Sequence, residues 1–174
     1  APAELLMLNH LLHELRLYKS AEEVAIMRKV ATISANAHIK AMQKTQAGMY
    51  EYELEAELMY EFMRHGCAAP AYNTIVGSGN NACVLHYVDN RRQMQKGDLV
   101  LIDAGAELDH YAADITRTFP VSGRFSTEQQ ALYEVVLAAQ LAAINVVHPD
   151  NHWDKPHTVA VEILTQGLLD LGSV

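Results

Sequence analysis

The stretch GDLVLIDAGAELDHYAADITRTFP, residues 97–120, decides how this chain is read. Four apolar residues, Leu99 to Ile102, run straight into the carboxylate of Asp103, and a second acid, Asp114, sits inside the next strand-like run. Gly97-Asp98 is a turn signal, and 99–106 with 111–119 read as a strand pair. A two-residue turn at Leu108-Asp109 places Asp103 directly opposite Asp114, with Cβ atoms about 4.5–5.5 Å apart. Leu-Asp is a weak type I′ pair, so a bulge there would shift the register. At roughly 5 Å and an effective dielectric near 20, two carboxylates repel by about 3 kcal/mol. Three arrangements relieve that cost: a shared proton, a water-filled sheet edge, or a bound cation of the Mg²⁺, Mn²⁺, Zn²⁺ or Co²⁺ kind. Spacing alone leaves all three open.

Outward from this pair, helices dominate. Ser20 with Glu23 is a capping-box signature, and Ile26, Val30, Ile33, Ala37 and Ala41 follow at helical spacing. Acids open this helix, and Lys40 and Lys44 close it, which suits the helix dipole. A second helix is expected over 51–65, with Leu54, Leu58, Phe62 and Met63 inward and Gly66 at C′. Residues 71–88, AYNTIVGSGNNACVLHYV, read as two short strands around a glycine-rich loop. VGSGNN lacks the GK[ST] ending of a phosphate loop, so its glycines serve turn geometry. Ser126 or Thr127 opens a third long helix, with Gln129 or Gln130 completing a capping box. The run 131–147 within it is broken by Glu134, Gln140 and Asn145 and is too short to span a membrane; a mostly buried helix is expected. HPDN, 148–151, ends it, and a last helix covers roughly 157–170. This order gives an α+β fold, helices packed on a mainly antiparallel sheet.

The chain has 174 residues, half of them hydrophobic and 20% charged, which suits one globular domain. A net charge of −8, from 21 acidic and 13 basic residues, without a basic stripe, argues against nucleic acid or an anionic membrane surface as partner. Two cysteines, Cys67 and Cys83, are too few for a disulfide scaffold and suit a reducing compartment; both are expected to pack as small apolar residues. The start, APAELLMLNH, has no basic segment, carries Glu4 and lacks an initiator Met. It reads as a processed or cut chain rather than a signal peptide.

Two carboxylates do not complete a metal site, and histidine is the natural further source. His148 and His152 stand at i, i+4, but Pro149 occupies the place of the glutamate in a zinc helix, and the segment reads as a loop. His110 falls at the hairpin tip. His86, in VLHYVDN, differs: it follows a strand able to lie beside the acids and is flanked by apolar and aromatic residues.

YNTIVGSGNNACVLHY, GDLVLIDAG and YAADITRTFPVSGRFSTEQQALYEVVL together resemble the catalytic domain of the Xaa-Pro aminopeptidases. These are pita-bread metallopeptidases, alongside prolidase and methionine aminopeptidase. The resemblance runs from near RLYKSAEEVAIMRK to the end and is weakest at HPDNHWDKPH. LHYVDN with DITRTFPVSGRFS points to the aminopeptidase P and prolidase branch.

The resemblance implies two divalent metal ions, usually Mn²⁺, with Zn²⁺ or Co²⁺ as alternatives. It implies that Asp103 binds one metal and Asp114 bridges both. His86 then assists catalysis near the substrate, and Tyr72 hydrogen-bonds beside the carboxylates, core packing being the other reading of Tyr72. Three further ligands, a histidine and two glutamates, come from the second half of such a domain, and nothing after Asp114 matches them. Residues 1–17 are therefore expected to end a linker from an N-terminal domain, and 18–174 to form the first half of the catalytic domain. The implied activity is release of the N-terminal residue from peptides with proline in second position, in the cytoplasm, the 174 residues alone being inactive. A prolidase-type dipeptidase and a non-catalytic peptide-binding module are the alternatives. A half-domain leaves apolar surface uncovered, so a homo-oligomer is expected.

Overall fold

Ser20 opens the first long helix as the sequence indicates. Its side chain accepts from Glu23 N at 3.3 Å while its own N–H donates to Glu23 Oε2 at 2.6 Å. The computed structural model describes residues 7–172. The reading of the first residues, Glu4 included, and the beginning of the 1–17 segment lie outside them. Helix α1 (Leu8–Leu17) precedes α2 (Ala21–Lys44) and α3 (Glu51–Arg64). Strand β1 (Ile75–Ser78) leads into a 3-10 turn, Gly79–Cys83. Then come β2 (Leu99–Ala104), β3 (Glu107–Leu108), β4 (Tyr111–Ala112), β5 (Ile115–Pro120), α4 (Thr127–Asn145) and α5 (Lys155–Asp170). The chain divides into two compact units, up to Ser122 and from Gly123 onward.

The first unit is built on a three-stranded antiparallel sheet of order β1-β2-β5. Strand period decides which way its side chains point. Val100, Ile102 and Ala104 of β2 are fully buried, while Leu99, Leu101 and Asp103 between them are half-buried. The buried row joins Val30, Ile33, Ala37 and Ala41 of α2 and Leu54, Leu58 and Phe62 of α3 in one core. Helices cover that face, and Asp103 belongs to the other row. The second unit pairs α4 with α5, where Gly167 admits Val135: a Cβ there would lie 2.4 Å from Val135 Cγ1.

Several expectations are corrected. The hairpin turn is Asp109-His110, not Leu108-Asp109. Both turn residues have positive φ, 49° and 68°, and Leu108 pairs with Tyr111. The same register runs on into the main sheet, where Asp103 faces Thr116 rather than Asp114. Leucine tolerates positive φ poorly, whereas Asp and His adopt it more readily, and this moves the turn by one residue. No second strand forms in 84–88 among the described residues; the chain turns instead through His86, at φ 55°. The 131–147 segment is helical but largely exposed. Ala139 is its buried residue, and Val136, Leu141 and Ile144 are about half exposed. A unit of two helices offers α4 one helical neighbour face to bury against. Cys67 is buried as expected, but Cys83 is exposed, and both are free thiols. Helix α1 lies within the segment 1–17 expected to end a linker; it exposes Leu8, Leu11, Leu12 and Leu15.

Candidate metal centre

The two acids meet despite the shifted register. A slip of two positions preserves the side-chain face, so Asp114 stays on the same side of the sheet as Asp103, one step off the directly opposed place. The continued register sets Gly105 across from Asp114. The chains approach so closely there that a Cβ on Gly105 would lie 1.7 Å from the Ala113 carbonyl oxygen. Only glycine fits this crossing.

Tyr72, in the segment before β1, closes the arrangement. Its hydroxyl lies 2.5 Å from Asp103 Oδ1 and 3.0 Å from Asp114 Oδ1. The two carboxylates can therefore be no farther apart than these contacts laid end to end. Burial, then the hydrogen bonds to Asp103 and Asp114, push the Tyr72 phenol well above its ordinary pKa, so the hydroxyl keeps its proton. One proton cannot satisfy four carboxylate oxygens at once.

An open cleft of about 490 Å³ is lined by Tyr72, Asn73, Ile75, His86, Val88, Asp103 and Asp114. All four residues singled out in the sequence thus line one cavity. Asn73, Ile75 and Val88 were not singled out; their adjacency to Tyr72 and His86 was the available signal. His86 is exposed and in the left-handed backbone region. Such strain in a non-glycine residue clusters at functional sites.

The donor chemistry fits a divalent cation. Two carboxylates converge, and among the described residues no Lys or Arg forms an ion pair with either. Hard and borderline ions favour such oxygens. The set is incomplete: among the described residues, no group of three or more His, Cys, Asp or Glu side chains gathers to hold a metal. His148 and His152 lie exposed between α4 and α5, each beside a neighbouring acid, Asp150 and Asp154 respectively.

Known proteins resemble this chain in sequence and fold. The sequence pattern of metallopeptidase family M24 matches residues 25–173. The chain is 47% identical over 172 residues to the Xaa-Pro aminopeptidase of Escherichia coli, covering 99% of this chain and 39% of that protein. It is 49% identical over 170 residues to the Xaa-Pro aminopeptidase of Haemophilus influenzae, covering 98% of this chain and 40% of the relative. Among solved structures, Pseudomonas aeruginosa aminopeptidase PepP superposes with a TM-score of 0.98 at 54% identity, over 99% of this chain and 39% of that one. A zinc-substituted E. coli aminopeptidase P in complex with product gives 0.98 at 46% identity, over 100% of this chain and 40% of that one. The chain thus spans about two fifths of the length of these relatives.

Proposed function

This chain belongs to metallopeptidase family M24, and on that premise we propose that the full protein is a metal-dependent aminopeptidase releasing the N-terminal residue from peptides with proline second. Its α+β architecture is that of the first half of the pita-bread fold. The observation that carries the reading is the convergence of Asp103 and Asp114 on Tyr72 in the lining of an open cleft.

In this reading Asp103 and Asp114 hold two divalent ions, manganese in the first instance, with ligands from beyond this chain completing the set. The chemistry such ions supply is polarisation of the scissile carbonyl and activation of a water. Tyr72 orients the two carboxylates through its hydroxyl. His86, also in the lining, hydrogen-bonds the substrate and steadies it as the carbonyl carbon becomes tetrahedral.

The reading assigns residues 1–17 to a connecting segment and 18–174 to the first half of the catalytic domain. It also assigns a cytoplasmic, self-associating protein. Among the described residues no helix is long and apolar enough to cross a membrane, and exposed Leu11 and Leu15 of α1 and Val136 and Ile144 of α4 offer apolar surface for association.

Two measurements test this. Metal analysis of the full protein should give two ions per chain, with release of the first residue from Xaa-Pro peptides; absence of metal would favour a peptide-binding module, and preference for dipeptides a prolidase. The 174-residue chain with added Mn²⁺ should release little or nothing. Robust turnover, abolished by Asp103→Ala, would refute the assignment of this chain as half a site.

A further inference from the structure

Glu51 is the first residue of α3, a place where an acid ordinarily lies in solvent facing the helix dipole. Here it is fully buried. Its Oε1 accepts from Ser78 N and Ser78 Oγ, both at 2.7 Å, and from Asn81 Nδ2 at 3.3 Å. Its Oε2 accepts from the Tyr87 hydroxyl at 2.8 Å and from Arg92 N at 2.9 Å. Tyr87 Oη in turn accepts from Asn81 Nδ2 at 2.9 Å. The Arg92 guanidinium reaches Ser78 Oγ at 2.8 Å and pairs with Asp98. Burial pushes the Glu51 pKa up, but the donors from Ser78, Arg92 and Tyr87 outweigh it and hold the carboxyl below its ordinary range. It is a charged acceptor at the centre of a closed set of donors.

Those donors have one thing in common. Ser78 ends β1, Arg92 lies beyond the loop, and Tyr87 is in its middle, so one carboxylate ties both ends and the centre of 79–91. That loop carries His86, next to Tyr87 and at a φ of 55°. Glu51 itself is not among the residues lining the cleft.

We propose that Glu51 is a positioning residue: through Tyr87 it fixes where the His86 imidazole stands in the cleft shared with Tyr72, Asp103 and Asp114. The inference rests on reading His86 as the residue that serves the substrate. Glutamine would not substitute, because it replaces one acceptor oxygen with a donor group facing the donors of Tyr87 and Arg92.

The test uses the full protein with divalent ions present and compares Glu51→Gln, Tyr87→Phe, His86→Ala and the Glu51→Gln/His86→Ala double variant. Amide exchange over 79–91 should quicken by about tenfold in Glu51→Gln, with Leu99–Ala104 unchanged. The Cε1–H NMR signal of His86 should broaden or move relative to the wild type. kcat for Xaa-Pro release should fall by about tenfold with KM little changed, and the double variant should be no slower than His86→Ala alone. Tyr87→Phe, which keeps the ring, should change each quantity in the same direction by less, and it decides the matter if Glu51→Gln does not fold. Wild-type exchange over 79–91, an unmoved His86 signal, or a double variant losing the product of the two single losses would overturn the proposal. Absence of Xaa-Pro release in the wild type would overturn the proposed activity instead, leaving exchange and the His86 signal to decide the role of Glu51.

Discussion

The hydroxyl of Tyr72 donates to Asp103 across 2.5 Å, although 31 positions separate the two in the chain. The same oxygen lies 3.0 Å from Asp114. One phenol thereby orients both acids. Tyr72→Phe removes both contacts and keeps the ring. Affinity for divalent ions, measured calorimetrically on the full protein, should fall by about ten- to a hundredfold. Unchanged affinity would show that the carboxylates orient themselves.

Asp114→Asn should act oppositely on stability and on metal. Removing one of two neighbouring like charges, one of them exposed, should stabilise the metal-free chain by on the order of 1 kcal/mol. The wild type should gain stability when Mn²⁺ is added, and the variant should gain far less. Parallel thermal shifts in both proteins on titration with Mn²⁺ would mean that the ion binds elsewhere.

Gly105→Ala places a methyl group 1.7 Å from the Ala113 carbonyl oxygen. The obstacle is backbone and cannot rotate away. The variant should lose about 2 kcal/mol or more, read as a lower urea midpoint, and should also bind metal less well because the crossing that aims Asp114 must open. Wild-type stability would mean the strands separate there at no cost.

His38 gives the chain an acid-sensitive element. It is 2% exposed, and its Nδ1 lies 2.9 Å from the Ser34 carbonyl oxygen. Burial, with the nearby Arg117 charge adding to it, lowers its pKa, so the folded state keeps it neutral. As pH falls through about 6.5, the unfolded chain takes up a proton that the folded chain refuses. Stability should therefore decline from pH 7 toward 5, by about 1.4 kcal/mol per unit of depression. Urea midpoints of wild type and His38→Gln should diverge with acidification, the wild type falling faster; parallel curves would refute the role.

Much of this was legible locally. Ser20 and Glu23 announced α2, and Ser126 with Gln129 announced α4. Alternation along 99–104 separated the buried row from the row of Asp103. Asp109-His110 is the better turn pair, and the register difference of two positions leaves the acids on the shared face. The strand expected over 84–88 failed for a different reason. Its residues have strand-forming side chains, but among the described residues no strand pairs with them, and Leu85 stands 86% exposed. Strand propensity is realised through cross-strand partners, which a single segment does not contain.

The sequence by itself determined where α2 and α4 begin, most of the core stripes of α2 and α3, though Met63, expected inward, is 61% exposed, and on which face the two acids lie. Capping and side-chain period act within a few residues and need no distant partner. Only the tertiary structure decided that Tyr72 bridges those acids, that His86 lines the same cleft, and that Glu51 is buried beneath the loop carrying it. The hydrogen bonds among these residues join positions 31 to 42 apart, set by how strands and helices pack rather than by any local pattern.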